Sequence, residues 1–478
     1  MTAETPIENY GATTPSSTAG SDNDSVVDPK LVNGRESWNY PPKNVLKTVA
    51  MFWGMISFGM NDASVGVLVK SLEQHYQISY TSVSYIFLLG FTGYLISAFV
   101  CEIFHRHVGR WGTLTLGGFF QLVCFILAYT MPPFPIFVIG YFISGFGNGL
   151  IEASSNAWAG NLNNNNEMLG LLHGFYGLGG IISPFVTTTL LVWGYQWNTV
   201  YFFLAVMTSL STILIFYAYS DETAEHYKQI IERSIKEQQQ HPEETSPLLP
   251  GIVDNELDPE HHHHDPNNVL MEIDPAMAIE KSTHGQVSAF RETLQSKLAL
   301  LLSFSLFMAV GAEITFSGWI PIYMIDVRHG DEKQMGYVGT AYWAGMTLGR
   351  MGLGFVTSRS AWSEELWNLV YILCTLASIA GFWFVPSIAV SSVCAVLIGF
   401  FNAPLYPTSM VVFIKKFPEH LHVVGVGLLA ACGGVGGALG PFLNGVLTTQ
   451  YGAFVLAPFT FSLLVAMLIS WIILMKKF

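Results

Sequence analysis

The sequence predicts an all-α integral membrane protein built as two six-helix bundles, and three observations carry that prediction. Charged residues make up only 12% of the 478-residue chain, whose mean hydropathy is +0.41. A soluble globular protein carries about 25% charged residues. Twelve apolar stretches approach the roughly 17–25 residues needed to cross a bilayer, and a polar segment of about 75 residues parts them into two sets of six.

The first set runs over 45–70, 79–103, 111–131, 134–158, 167–193 and 197–219. The second covers 297–325, 335–357, 366–385, 388–413, 423–448 and 452–475. The expected organisation is therefore a polar tail (1–44), an N-terminal bundle (45–220), an acidic loop (221–295) and a C-terminal bundle (296–478). The tail lacks the apolar core of a signal peptide, and its Ser, Thr, Asn and Asp content predicts disorder.

The net charge of −13 is concentrated, with fifteen acids against four bases in residues 221–290. A solvated loop accounts for it, and no basic patch is left to hold a nucleic acid. Cys101, Cys124, Cys374, Cys394 and Cys432 lie in or beside apolar runs without paired spacing, which predicts buried thiols rather than a disulfide framework. No metal-ligand cluster or nucleophile–base set stands on an ordered segment, so neither a cofactor nor an enzymatic activity is expected.

Cytoplasmic loops of membrane proteins carry the excess of Lys and Arg. With a cytoplasmic N-terminus, eighteen of the 21 basic residues fall on or near that side, and only Lys70, Arg328 and Lys333 fall opposite. Both termini and the central loop are predicted to be cytoplasmic.

The halves repeat one another at an offset near 252–257 residues. Gly59 and Gly66 match Gly311 and Gly318, and Gly145-Phe146-x-Asn148 matches Gly399-Phe400-x-Asn402. The pattern Gly177-x-Gly179-Gly180-x-x-x-Pro184-Phe185 returns as Gly434-x-Gly436-Gly437-x-x-x-Pro441-Phe442. Small residues let membrane helices approach closely, which explains any one glycine but not its return in the corresponding helix. Duplication of a six-helix unit does, and such repeats place a substrate site at their interface near the midplane.

With twelve spans in a 6+6 arrangement, the chain resembles the major facilitator superfamily over both bundles. Within it, four segments are similar to the branch of fucose–proton symporters and their fungal relatives. These are Gly59-Met60-Asn61-Asp62, Glu152-Ala153-Ser154-Ser155-Asn156, Leu171 to Gly177, and Gly311-Ala312-Glu313 through Gly318-Trp319. The superfamily's loop between helices 2 and 3, G-x-L-x-D-R-x-G-R-[RK], aligns with Glu102 to Trp111, where only Gly109 and Arg110 remain. The second copy, Gly354 to Arg359, has Ser for Asp. Arg110, Arg350 and Arg359 are the candidate gating arginines, with Gly179, Gly180, Pro184, Gly436, Gly437 and Pro441 as gating and packing positions.

Intramembrane ionisable groups cost roughly 2.5–3.5 kcal/mol each on insertion scales, which draws attention to Asp62, Glu152 and Glu313. Ser144, Asn148, Glu152 and Asn156 recur at every fourth position, a polar stripe that suits either a cavity wall or a hydrogen-bonded seam between helices. Asp62 and Glu152 are the candidates for proton coupling, because a carboxylate removed from water can exchange a proton in the neutral range; binding of substrate hydroxyls is the alternative role for either. The resemblance supports the same roles, since those symporters carry an Asp in helix 1 and a Glu in helix 4. Asn61, Asn148, Asn156, Glu313, Ser317, Trp319, Asn402 and Tyr406 are the candidate substrate residues: acceptors and amides for hydroxyl groups, with aromatic faces for C–H surfaces. Trp319 reads equally as an interfacial anchor. His173 and Gln121 are expected to be packing residues.

In the loop, Glu244-Thr245-Ser246-Pro247-Leu248-Leu249 resembles an acidic dileucine sorting signal, with Glu244, Leu248 and Leu249 as its key residues. It implies a sorting adaptor as partner and a vacuolar or endolysosomal membrane. The run His261–His264 is incidental composition on this reading. The expected activity is secondary transport of a small, sugar-like polar solute by alternating access with proton coupling. A uniporter, an exporter of amphipathic compounds, or a non-transporting nutrient sensor are the alternatives.

Overall fold

The computed structural model describes residues 36–229, 290–418 and 421–478. The polar tail up to residue 35, the dileucine-like residues Glu244, Leu248 and Leu249, and the histidine run lie outside the described residues. Helices account for the regular structure among the described residues, apart from a single bridge between Ser37 and Tyr40.

The first half holds α1 (Lys43–Tyr76), α2 (Tyr80–Tyr129), α3 (Phe134–Gly160), α4 (Asn165–Val192) and α5 (Thr199–Ala218). The second holds α6 (Lys297–Asp326), α7 (Gly336–Arg359), α8 (Glu364–Phe384), α9 (Ile388–Asn402), α10 (Leu405–Lys416), α11 (His422–Tyr451) and α12 (Leu456–Lys477). Nine helical stretches among the described residues are long and apolar enough to cross a membrane. α1, with Asn61 and Asp62 at mid-length, and α7, with its glycines and Arg350, are less apolar. Serine side chains cap several helix starts, as Ser79, Ser296, Ser363 and Ser387 accept from backbone N–H groups three residues on, satisfying donors a helix leaves open.

Two boundaries differ from expectation. The predicted stretches 79–103 and 111–131 form one 50-residue helix, broken only at Gly109 (φ +71°). A side chain there is unfavourable in conformation and would strike the backbone of Glu222 to Ala224. The predicted stretch 388–413 divides into α9 and α10 at residues 403–404. Its break falls at Pro404, which fits poorly as a helix continuation.

The repeated glycines are spent on the same contacts in each half. In the first, a Cβ on Gly59 would overlap the Tyr176 carbonyl and one on Gly179 the Ile56 carbonyl, so α1 and α4 touch backbone to backbone. In the second, Gly311 lies against Gly436 and Gly436 against the Phe307 carbonyl, joining α6 and α11. Likewise Gly93 and Gly145 press α2 and α3 together, as Gly345 and Gly399 press α7 and α9. Gly66 and its counterpart Gly318 meet each other, with a Cβ on Gly66 falling 3.1 Å from the Gly318 Cα. α1 and α6 thus cross at corresponding points of the repeat.

The halves interlock on the face formed by residues 77–79, 193–198 and 327–335. Thr81 donates through its N–H (2.8 Å) to Thr449 Oγ1, and their hydroxyls lie 3.0 Å apart. Tyr80 donates to Asp326 (3.3 Å), and Thr189 meets Tyr337 (3.0 Å). Towards the face of the termini, Gly170 and Gly174 of α4, Gly352 and Gly354 of α7, and Gly427 of α11 have open space where a Cβ would project. These polar contacts between the halves make the turn face the closed face, and the glycine-lined space lies towards the termini, on the open side.

Candidate functional site

A cavity of about 300 Å³ lies between the halves, reached by α1, α2 and α3 from one side and α6, α7, α10 and α11 from the other. Its two walls differ in character. The first half supplies the polar Asn61, Asp62, Tyr94, Tyr141, Asn148 and Glu152 together with the apolar Phe58, Val65, Ile86, Phe87 and Phe91. The second supplies Val310, Ile314, Gly318, Ala430, Gly434 and Gly437, with Ser317, Trp343 and Tyr406 as the polar or amphipathic members. Among the described residues, a ligand here meets carboxylates and amides from the first half only, and apolar surface from both halves.

Asp62 and Glu152 line this cavity, and each is held by a tyrosine. Tyr176 donates to Asp62 Oδ2 at 2.9 Å, and Tyr94 donates to Glu152 Oε2 at 2.8 Å. Neither carboxylate has a basic group within ion-pair distance among the described residues. Asn61 sits beside Asp62, with its Nδ2 3.4 Å from Asp62 Oδ1. Its buried Oδ1 has no partner among the described residues, so an acceptor is left for a ligand. Asn148 is backed from α2 by Gln121, whose amide donates to Asn148 Oδ1. Gln121 therefore serves to orient a cavity residue.

The remaining candidates are distributed as follows. Asn61, Asn148, Ser317 and Tyr406 share the cavity with the two carboxylates, while Asn156 lies one turn beyond Glu152 on the same stripe. Glu313 and Asn402 are away from the cavity wall and engage one another. Glu313 Oε1 pairs with Arg350 at 3.0 Å, and Asn402 donates to Glu313 Oε2 at 3.3 Å. Arg350 thus neutralises the third intramembrane carboxylate. Trp319 is buried in the closed face, donating to the Pro441 carbonyl (3.1 Å) and edging Tyr80. Pro184 and Pro441 lie inside α4 and α11. Gly180 packs on the Trp343 indole and Gly437 on Val310. His173 is exposed towards the open side, and Arg359 ends α7, also exposed.

Arg110 is engaged with a group the sequence reading did not single out. Its Nη1 pairs with Glu222 Oε2 at 2.8 Å, and Lys47 Nζ holds Glu222 Oε1 at 2.7 Å. All three side chains are under a tenth exposed. Trp111 N–H donates to the Glu222 carbonyl (3.0 Å), so the chain after α5 is stitched beneath the bend at Gly109. Asp221, half exposed, pairs with Lys43 and Lys47. Burial opposes its ionisation, but hydrogen bonds from both lysines outweigh that and hold its carboxyl below the usual range. This segment supplies Arg110 with a carboxylate, where the stretch from Glu102 to Trp111 lacks the aspartate of the G-x-L-x-D-R-x-G-R-[RK] pattern.

Tyr94, Tyr141, Tyr176 and Trp343 were not among the expected site residues. A tyrosine in an apolar helix gives little signal, since it reads equally as packing. The glycine spacing around Tyr94 and Tyr176 is the feature that could have drawn notice, because close helix contact brings side chains into the crossing.

Residues 51–441 match the Major Facilitator Superfamily. The chain is 30% identical over 417 residues to Bypass of stop codon protein 6 of Saccharomyces cerevisiae, covering 85% of this chain and 78% of that protein. It is 21% identical over 399 residues to the glucose/mannose transporter GlcP of Bacillus subtilis, covering 81% and 84%. A solved structure of a mutant nucleoside transporter NupG is similar in fold, with a TM-score of 0.65 at 11% identity over 90% of this chain and 99% of that one. A match of this extent, on two helical halves around a shared cavity, places the chain in the Major Facilitator Superfamily as a multi-pass membrane transporter and not an enzyme.

Proposed function

We propose that the protein moves a small polar, sugar-like solute together with protons by alternating access. The carrying observation is the placement of Asp62 and Glu152 on one cavity wall with tyrosine hydroxyls as partners and, among the described residues, no paired cation, while Glu313 is neutralised by Arg350. Carboxylates facing water in a cavity can take up a proton in one state and release it in another. Likeness to a glucose/mannose transporter supports a sugar-like solute.

In this reading the chain crosses the membrane twelve times, α2 counting twice and α9 with α10 counting once. Residues 45–220 and 296–478 rock as two bundles about the Gly66–Gly318 crossing. Both termini and the 221–295 loop face the cytoplasm, so the described conformation is open inward.

Uptake of D-glucose and D-mannose into proteoliposomes, with and without an imposed pH gradient, tests the reading. Glu152→Gln and Asp62→Asn are expected to abolish accumulation against a gradient while exchange of solute across the membrane persists. Unchanged accumulation in Glu152→Gln removes the coupling role. The apolar second wall favours an amphipathic solute as the second reading, and flux of such a compound without sugar transport would select it.

The closed face offers a separate check. Thr81→Cys with Thr449→Cys should form a disulfide on oxidation, because the two hydroxyls already lie 3.0 Å apart. Transport is expected to stop on oxidation and return with reductant, and full activity of the cross-linked form would contradict rocking at this contact.

A further inference from the structure

Each cavity carboxylate is connected through one tyrosine to a contact between the halves. Tyr176, on α4, donates to Asp62, and its ring stands edge-on to Trp343 of α7 with centroids 6.0 Å apart. The same indole fills the space beside Gly180, so α4 and α7 meet on it. Tyr94, on α2, donates to Glu152 and stacks on Phe91 at 6.0 Å. Phe91 in turn fills the space where a side chain on Gly434 of α11 would lie. The two paths, Asp62–Tyr176–Trp343 and Glu152–Tyr94–Phe91–Gly434, end on the α4–α7 and α2–α11 contacts between the halves.

We propose that Tyr176 and Tyr94 are positioning residues that transmit the protonation of Asp62 and Glu152 to the α4–α7 and α2–α11 seams. The inference rests on the proton-linked reading above. A hydroxyl donating to an ionised carboxylate makes a charge-assisted bond, roughly twice as strong as one to a neutral acceptor. Protonation removes the tyrosine's strongest acceptor and frees its ring to shift against Trp343 or Phe91. Both seams then gain a second arrangement whose population follows the proton, which is what a coupling element requires.

Other titratable groups face this assembly. Tyr141 on α3 and His173 on α4 lie on the first-half side. Glu313 on α6, Tyr342 and Arg350 on α7 and Tyr406 on α10 lie on the second-half side. Arg350 is the cation of this set and is tied to Glu313. Among the described residues, the two tyrosine hydrogen bonds lead from Asp62 and Glu152 towards the other half, with Tyr406 facing Glu152 from it.

The test uses full-length protein in lipid nanodiscs, with spin labels on Thr130→Cys and Glu332→Cys to read the separation of the halves on the turn face. Infrared difference spectra over the same pH series read the carboxyl bands, assigned with Asp62→Asn and Glu152→Gln. In the parent, both the bands and the distance should change with pH. In Tyr176→Phe, and separately in Tyr94→Phe, the carboxyl band should still titrate while the distance change is lost or no longer follows it. A distance that tracks the carboxyl band in both phenylalanine variants as in the parent overturns the relay and leaves proton coupling standing. A parent whose Asp62 and Glu152 bands do not change with pH overturns the proton-linked reading, and the relay with it. Phenylalanine keeps each ring and its packing, so loss of tracking in a variant with a parent-like elution profile isolates the hydroxyl.

Discussion

Glu222→Ala is expected to destabilise the first half by about 3–5 kcal/mol, the usual consequence of removing one partner from a buried ion pair. Here the removed group serves two cations at once, Lys47 at 2.7 Å and Arg110 at 2.8 Å. Their side chains are 5% and 9% exposed, so water cannot replace the lost carboxylate. The backbone bond from Trp111 to the Glu222 carbonyl would survive the substitution but would lose the side chain that seats it. Fluorescence-detected gel filtration after a heating series should show a large fall in melting midpoint or no folded peak. Asp221→Ala is the contrast. Its carboxylate is 48% exposed and paired on the surface, where an ion pair contributes about 0–1 kcal/mol. Adjacent acids in sequence should therefore behave as opposites, and equal effects would show that burial of Glu222 is not what matters.

Gly179→Val is expected to cost about 1–3 kcal/mol or more through overpacking, because its Cβ would coincide with the Ile56 carbonyl oxygen. Backbone cannot move aside as a side-chain tip can, so α1 and α4 would have to separate. That separation would pull Tyr176 from Asp62, since Gly59 packs on the carbonyl of Tyr176 itself. Loss of solute accumulation should accompany the lowered melting midpoint. Gly436→Val, the repeat counterpart, should produce the same fall through the Phe307 carbonyl. Gly170→Val lies on the same helix as Gly179, yet its Cβ meets nothing within 4 Å. Its folded yield should match the parent's, and a similar loss there would argue for helix propensity rather than crowding as the cause.

The polar stripe of α3 with Glu152, and Asp62 on α1, were legible in the sequence because an ionisable group in an apolar helix is costly and so stands out against its neighbours. Asp62, Asn148 and Glu152 do lie on one cavity, as their polarity suggested. Glu313 carried the same signal, but a buried carboxylate satisfied by Arg350 and Asn402 looks identical in sequence to one facing a ligand. The difference is a matter of which helices cross and at what height, and no single helix encodes it. Glu222 was hidden for the opposite reason. It opens an acidic stretch whose composition reads as solvated loop, and only the return of the chain beneath Gly109 buries it.

By itself, the sequence determined that this protein is helical, membrane-embedded and internally duplicated. Apolar length, scarce charge and recurring glycines are properties of the chain read along its own axis, and the bilayer makes them sufficient. Only the tertiary structure decided what the duplicated glycines do: Gly59 with Gly179, Gly311 with Gly436, and Gly66 with Gly318 bring backbones into contact across distant segments. Those close approaches set the helix crossings, and the crossings settle which polar groups meet. Asp62 thereby faces Tyr176 and Glu152 faces Tyr94, whereas Glu313 is turned onto Arg350. Partner choice among buried polar groups depends on three-dimensional proximity, which pattern along the chain does not specify.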